Sequence, residues 1–253
     1  MDAAAIGYTG ASMPGSFTRP LVLTALLLAL AASTARAQPG ATGPVAAMNA
    51  EAKALSETDP GRSLEIAQRA LAAAREARDL RGQAEALNYI AYGHRNQSLL
   101  DLARRSALES IRLYVQAGAG WGEAQGYNTL GLIEADDGRF PEALESHLKA
   151  LAIRERTGDR EGLAYSFNNI GNIHRNMGQY KEALASHQRG LALKVELGMR
   201  SSEAYSHHNI GLVYFAMKDY PAAEAAYRRG LAIREELKDP RAIAVSLNAI
   251  GQV

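Results

Sequence analysis

Apolar and small residues recur along this chain at helical spacing, and the helical pattern itself repeats at a longer fixed interval. Ala164, Phe167, Ile170, Gly171 and His174 fall at i, i+3, i+6, i+7 and i+10, one face of a helix. The same short string heads that face five times, as Asn88-Tyr-Ile-Ala91, Asn128-Thr-Leu-Gly131, Asn168-Asn-Ile-Gly171, His208-Asn-Ile-Gly211 and Asn248-Ala-Ile-Gly251. The copies keep a constant 40-residue step, with no drift. A fixed period of that length predicts a stack of small repeats, each sharing its core with its neighbours.

Each unit divides into two helical stretches. Starting units at Arg81, Trp121, Glu161, Ser201 and Arg241 puts an alanine at the fourth position of all five: Ala84, Ala124, Ala164, Ala204 and Ala244. A turn follows the first stretch, at Asp137-Gly138-Arg139, Met177-Gly178-Gln179 and Lys218-Asp219, and then an aromatic at Phe140, Tyr180 or Tyr220. Glycine ends a helix at low cost, and Pro141 and Pro221 stand where a new one starts. Ala103, Ala143, Ala183 and Ala223 mark the second stretch, followed by Ile111, Leu151, Leu191 and Leu231. Small residues at these sites predict close helix crossings.

This helix-turn-helix period resembles the tetratricopeptide repeat. The family's Leu-Gly pair is matched by Leu130-Gly131, Ile170-Gly171, Ile210-Gly211 and Ile250-Gly251, and its second-helix alanine by Ala143, Ala183 and Ala223. The family's tryptophan is replaced by Tyr127, Phe167, His207 or Leu247, the closing proline is missing, and each unit is longer than the family's usual one. Those departures are similar to a 40-residue subtype found in scaffold proteins and bacterial sensors. The resemblance implies an all-α fold, a right-handed superhelix of stacked antiparallel helix pairs forming a TPR α-solenoid. Residues 45–80 read as an atypical terminal repeat, 81–240 as four repeats and 241–253 as the truncated first helix of a further one. The uncovered half-repeat carries the expectation that the chain is the opening part of a longer protein or an incomplete product.

Within the resemblance, first helices line a concave face and the recurring asparagine turns toward an extended peptide. That assigns to the groove Asn88, Tyr92, Arg95, Asn128, Leu132, Tyr165, Asn168, Asn172, Arg175, Tyr205, His208, Leu212, Phe215 and Asn248, with Gln125 and Asn176 on the same face. An amide both donates to and accepts from a peptide main chain. The competing role is structural, with each asparagine bonding the neighbouring helix to hold the stack in register. Four net hydrogen bonds of ~1 kcal/mol each fall short of the roughly 8 kcal/mol of micromolar binding. Apolar contacts near Tyr165, Tyr205, Leu212 and Phe215 are therefore expected to add to them.

Composition narrows the function further. The chain is 47% hydrophobic and 22% charged with a formal charge of +1, which gives no basic stripe for nucleic acid. It has no cysteine, which removes disulfides, thiolate metal sites and cysteine nucleophiles. His147 and His187 lie a full repeat apart where the family packs an aromatic, and His207 and His208 point about 100° apart on a helix, so no metal is expected. Glu142, Glu155, Glu182 and Glu235 read as solvated salt-bridging groups beside Arg154 and Arg234 on exposed second-helix faces. No phosphate loop, nucleophile elbow or zinc spacing occurs, so no catalytic residue and no cofactor is assigned.

Arg19, the apolar run from Leu21 to Ala32 and the small-x-small end at Ala35-Arg-Ala37 have the order of a secretory signal. The run is shorter than the ~20 residues of a spanning helix. Cleavage is expected after Ala37, with residues 38–44 as a linker. Asp2 and the length before Arg19 suggest either Met13 as the true start or an extended leader. The sequence thus points to a periplasmic scaffold or sensory input module binding a protein or peptide partner. The alternative is the input region of a membrane-bound diguanylate cyclase or histidine kinase, and a third is an assembly factor for envelope complexes. A membrane is implied only for such a longer parent chain.

Overall fold

The computed structural model describes residues 43–253. The expected signal at 1–37, the start at Met13, the cleavage after Ala37 and most of the 38–44 linker lie outside these residues. Eleven α-helices and no strand occur among the described residues. They are α1 Pro44–Leu55, α2 Pro60–Glu76, α3 Leu80–Asn96, α4 Leu100–Gln116, α5 Gly120–Asp136, α6 Phe140–Thr157, α7 Arg160–Asn176, α8 Tyr180–Glu196, α9 Arg200–Ala216, α10 Tyr220–Glu236 and α11 Pro240–Gly251. Each helix packs on the next, and α1, α3 and α5 also touch in sequence, as do α7 and α9. The result is an all-α solenoid of stacked antiparallel pairs, with odd-numbered first helices and even-numbered second helices. Pro44, assigned from sequence to the linker, is instead the first residue of α1, because its fixed φ suits that position and its missing N–H is not needed there.

The turns carry a period that the 40-residue repeat conceals. A residue in the left-handed region recurs every 20 positions, at Arg78, Ser98, Gly118, Gly138, Gly158, Gly178, Gly198, Lys218 and Lys238. The next N–H in each turn donates back five positions, as Arg139 N to Glu134 O at 2.9 Å and Gln179 N to His174 O at 2.8 Å. This is Schellman closure, which satisfies carbonyls left over at the helix end. Five of the nine positions are glycine, for which φ near +70° carries no steric cost. Asp59, Asp79, Asp159, Asp219 and Asp239 then open the following helices by accepting a backbone N–H on their carboxylates, as from Gly162 at 2.9 Å.

The small residues sit where the helices cross. Ala84, Ala124, Ala164 and Ala204 are fully buried or nearly so, as are Ala103, Ala143, Ala183 and Ala223, whereas Ala244 in α11 is exposed. Pairing where the two helices of a repeat cross is size-matched in four repeats. A Cβ added to Gly131 would lie 2.8 Å from the His147 ring, at Gly171 2.7 Å from the His187 ring, and at Gly211 closer still to the Tyr227 ring. In the preceding repeat the same two positions hold Ala91 and Ala107, both fully buried. Hydrogen gives way to methyl on one helix where the aromatic gives way to methyl on the other.

His147 and His187 are therefore packing residues. They are at most 1% exposed, and neither ring nitrogen has a hydrogen-bond partner. Burial, reinforced by Arg154 for His147 and by Arg175 and Lys194 for His187, lowers each pKa from 6.5 to about 4.

Two outcomes are expected. Gly171→Ala should destabilise by ~1–3 kcal/mol through overpacking, partly offset by alanine's helix propensity. Adding His187→Ala, which rebuilds the Ala91–Ala107 pairing, should cost less than the sum of the two single changes in a denaturation double-mutant cycle. Additive costs would mean the ring does not sit over Gly171. The second outcome concerns acid. The folded state disfavours the imidazolium, so each ring's contribution is complete above pH 6.5 and is lost as pH falls toward about 4. At about 1.4 kcal/mol per pH unit this amounts to roughly 3 kcal/mol per ring. Unfolding free energy should drop between pH 7 and pH 5, and His147→Tyr with His187→Tyr, the residue type of position 227, should flatten that drop.

Candidate binding groove

First helices of successive repeats wall a cavity of about 610 Å³. Helix α3 contributes Asn88, Tyr89 and Tyr92, α5 Gln125, Asn128, Thr129 and Leu132, and α7 Tyr165, Asn168, Asn169 and Asn172. Tyr205 of α9 closes one end and Lys53, Ser56 and Glu57 at the end of α1 the other, while Arg154 reaches in from the second helix α6. Eight of the fourteen residues assigned to the groove from sequence thus meet here: Asn88, Tyr92, Asn128, Leu132, Tyr165, Asn168, Asn172 and Tyr205. Tyr165 and Tyr205 are 43% and 50% exposed, which leaves their rings free to cover a ligand.

The other six are occupied elsewhere or stand outside the cavity. Arg95 pairs with Asp136 at 2.6 Å and lies 5.6 Å from the Tyr92 ring. Arg175 donates to Asn176. The His208 ring rests 5.3 Å from that of Tyr227, and Leu212 and Phe215 pack against Ala223, Tyr227 and Ala249. Asn248 is exposed on α11. Leu212 and Phe215, expected to add apolar contacts to the groove, thus stand outside the cavity, half-buried against the cluster shared by α10 and α11.

The asparagines do both things that the sequence allowed. Asn169 Nδ2 donates to Asn128 Oδ1 at 2.8 Å, and Asn209 Nδ2 donates to Asn168 Oδ1 at 2.8 Å. Each bond joins consecutive first helices and commits the oxygen of the lining amide to the stack. The amino groups of Asn128 and Asn168 make no hydrogen bond among the described residues. The ladder has two rungs because the donor position holds Thr129 before them and Ala249 after them. Asn88 is accordingly left with its Oδ1 buried and unpartnered.

Beneath the groove runs a feature that sequence reasoning missed. Arg154, Lys194 and Arg234 recur at 40-residue spacing, and all are buried, at 6%, 1% and 6% exposure. Arg154 Nη1 donates to Gly162 O at 3.0 Å and Ser166 Oγ at 2.6 Å. Lys194 Nζ donates to Ser206 Oγ at 2.7 Å, and Arg234 Nη1 to Ala242 O at 3.1 Å and Ser246 Oγ at 2.5 Å. The expectation of solvated pairing at Arg154 and Arg234 is therefore corrected. Glu142, Glu155, Glu182 and Glu235 are exposed, but none of them pairs with these buried guanidiniums. Desolvation lowers the pKa of both arginines and brings that of Lys194 to about 8. The signal in the sequence was a serine 12 residues after each base, at Ser166, Ser206 and Ser246.

Among the described residues no group of three or more His, Asp or Glu side chains is placed to hold a metal ion. Among the same residues no helix is long and apolar enough to cross a membrane.

Sequence profiles described as tetratricopeptide repeat match residues 122–194 and 204–237. A search of the curated proteins returns no match. Among solved structures, BtubC from P. vanneervenii superposes with a TM-score of 0.65 at 20% identity, covering 88% of this chain and 94% of that one. A Rap protein complexed with competence and sporulation factor gives 0.72 at 16% identity, covering 90% and 67%. A signal-transduction ATPase with numerous domains and a tetratricopeptide repeat sensor, from Pyrococcus horikoshii, gives 0.71 at 18% identity, covering 81% of this chain but 32% of that one. Residues 122–194 and 204–237 thus match tetratricopeptide-repeat profiles, and at these identities the structural likeness is one of fold.

Asn168→Ala should lower stability by ~1–3 kcal/mol, because it strands the amide of Asn209, which is 2% exposed. Asn248→Ala, at the exposed counterpart, should stay within about 0.5 kcal/mol of the parent. Equal effects in urea denaturation would remove the ladder's role in the stack.

Proposed function

We propose that this repeat array is a non-catalytic scaffold that holds an extended peptide or protein segment in the groove between α1 and α9. The observation that carries the reading is the convergence of eight concave-face residues from four repeats on one open cavity. Several amides, among them the buried and unpartnered oxygen of Asn88, and two exposed tyrosines line it, which suits a main chain with interspersed side chains. The Rap neighbour, described in complex with competence and sporulation factor, is consistent with that use of the fold.

A sensory role is the second reading. It is favoured by the neighbour in which such repeats are the sensor of a signal-transduction ATPase, of which this chain spans about a third. In that reading the groove is the input of a longer signalling protein, with a diguanylate cyclase or histidine kinase as its output domain. The periplasmic setting proposed for either role rests on the signal-like residues 1–37 of the sequence.

Linear peptides selected from a random display library on the immobilised protein should bind competitively with one another. Tyr165→Ser with Tyr205→Ser, both at half-exposed positions, should weaken them by about tenfold or more while leaving helical circular dichroism unchanged. Tyr and similar anchors dominate interfaces of this kind. Unchanged affinity in the double variant would exclude the groove.

A further inference from the structure

The side of α9 turned away from the groove borders a second hollow, of about 280 Å³. Tyr205 faces the groove, and two residues on, about 200° round the helix, His207 faces the hollow together with Ile210 and Tyr214. Leu191 of α8 and Ala222 and Ala226 of α10 add apolar wall, and Gln188 and Arg229 stand exposed at its edge. Three of these residues are smaller than their counterparts 40 positions earlier: His207 stands for Phe167, Ala222 for Glu182 and Ala226 for Ser186.

The two preceding repeats show what this place holds when it is filled from within. Lys149 Nζ lies 5.5 Å from the centroid of the Tyr127 ring, and the Arg189 guanidinium 4.4 Å from that of Phe167. A cation over an aromatic face is attracted by the ring's quadrupole. Arg229 holds the position of Lys149 and Arg189, but the ring at the matching position is the imidazole of His207. Arg228 beside it pairs with Glu224, whereas Arg229 has no ion pair or hydrogen bond among the described residues. His207 adds no second charge at neutral pH. Burial, with a smaller push from Arg229, holds its pKa below the usual imidazole value against the pull of Glu203, and Glu203 is itself paired with Arg200 at 2.9 Å. Among the described residues no carboxylate lines the hollow.

We propose that this hollow on the outer side of α9 binds a small aromatic carboxylate, its ring lodged against Leu191, Ile210 and Ala226 and its carboxylate paired with Arg229. The site is separate from the groove and does not depend on the peptide-binding reading. A volume of about 280 Å³ lies just under the ~300–1,000 Å³ of sites for drug-sized ligands, which sets the ligand at one ring and a short chain. The ring supplies what Phe167 supplies beneath Arg189, and the carboxylate adds a charge-assisted bond that a neutral ring lacks.

The probes are phenylacetate and 3-phenylpropionate, titrated into the full chain with the methyl NMR signals of Leu191, Ile210 and Ala226 as the readout. Both acids should shift those signals, and phenylacetamide and N-acetylphenylalanine amide should bind about tenfold more weakly. His207→Phe, which rebuilds the Phe167–Arg189 arrangement, should abolish binding. Ala222→Leu, which copies Leu102 at the matching position of α4, should do the same, and both variants should keep the parent's circular dichroism. Arg229→Gln should weaken the acids about tenfold and leave the amides unmoved. No shift at millimolar acid, or binding that survives both His207→Phe and Ala222→Leu, overturns the inference. Acids and amides bound equally also overturn it, and assign the hollow to a neutral aromatic side chain of a partner.

Discussion

A left-handed residue every 20 positions is the constraint on which the rest of this solenoid depends. With the turn fixed at that spacing and closed by a bond five positions back, every helix from α2 to α10 is 17 or 18 residues long. Equal lengths keep successive helices antiparallel and in step, so contacts between successive first helices recur at one offset, as Asn128 with Asn169 and Asn168 with Asn209. The size-matched pairs Gly131–His147, Gly171–His187 and Gly211–Tyr227, and the asparagine rungs, all rely on that registry. Four of the nine turn residues are not glycine and hold positive φ against steric preference. That they do so shows that the packed helices on either side dictate the turn.

Registry also decides where polar groups can be buried. A serine 12 residues after each of the three buried bases lands on the next first helix, within reach of the base. A lysine or arginine is seldom buried without a partner, and here the partner comes from the following repeat. The bases therefore join repeats as well as lying under the groove. In a solenoid, where stability is the sum of units and their interfaces, each such bond acts at the weakest place, the junction.

Much of this was legible in the sequence. The period, the two helices per unit and the alanine crossings follow from apolar spacing, and eight groove residues follow from the face they share. The burial of Arg154, Lys194 and Arg234 did not, because a basic residue close to exposed glutamates fits a solvated face. Only the matching serines, on a different helix, distinguish the two. The loss of Leu212 and Phe215 from the groove was also hidden. There the position of His147 and His187 holds Tyr227, and the half-buried Leu212 and Phe215 pack on the cluster it shares with Ala223 and Ala249. The amide ladder was visible only as a choice between groove and stack, when the two atoms of each amide are divided between them.

The division bears directly on binding. An asparagine free to rotate presents oxygen or nitrogen to a ligand at little cost, and it loses that freedom when the ligand arrives. Asn128 and Asn168 cannot turn alone, since reversing one amide would set Nδ2 against the Nδ2 of Asn169 or Asn209. The face each offers is thus coupled to its rung partner in the neighbouring repeat, and both amides of a rung must turn together to change it. Where the donor position changes to Thr129 or Ala249 the coupling stops, and Asn88 and His208 are left outside the ladder. The polarity of the groove is set less by the residues that line it than by the ones beside them, one helix further along the stack.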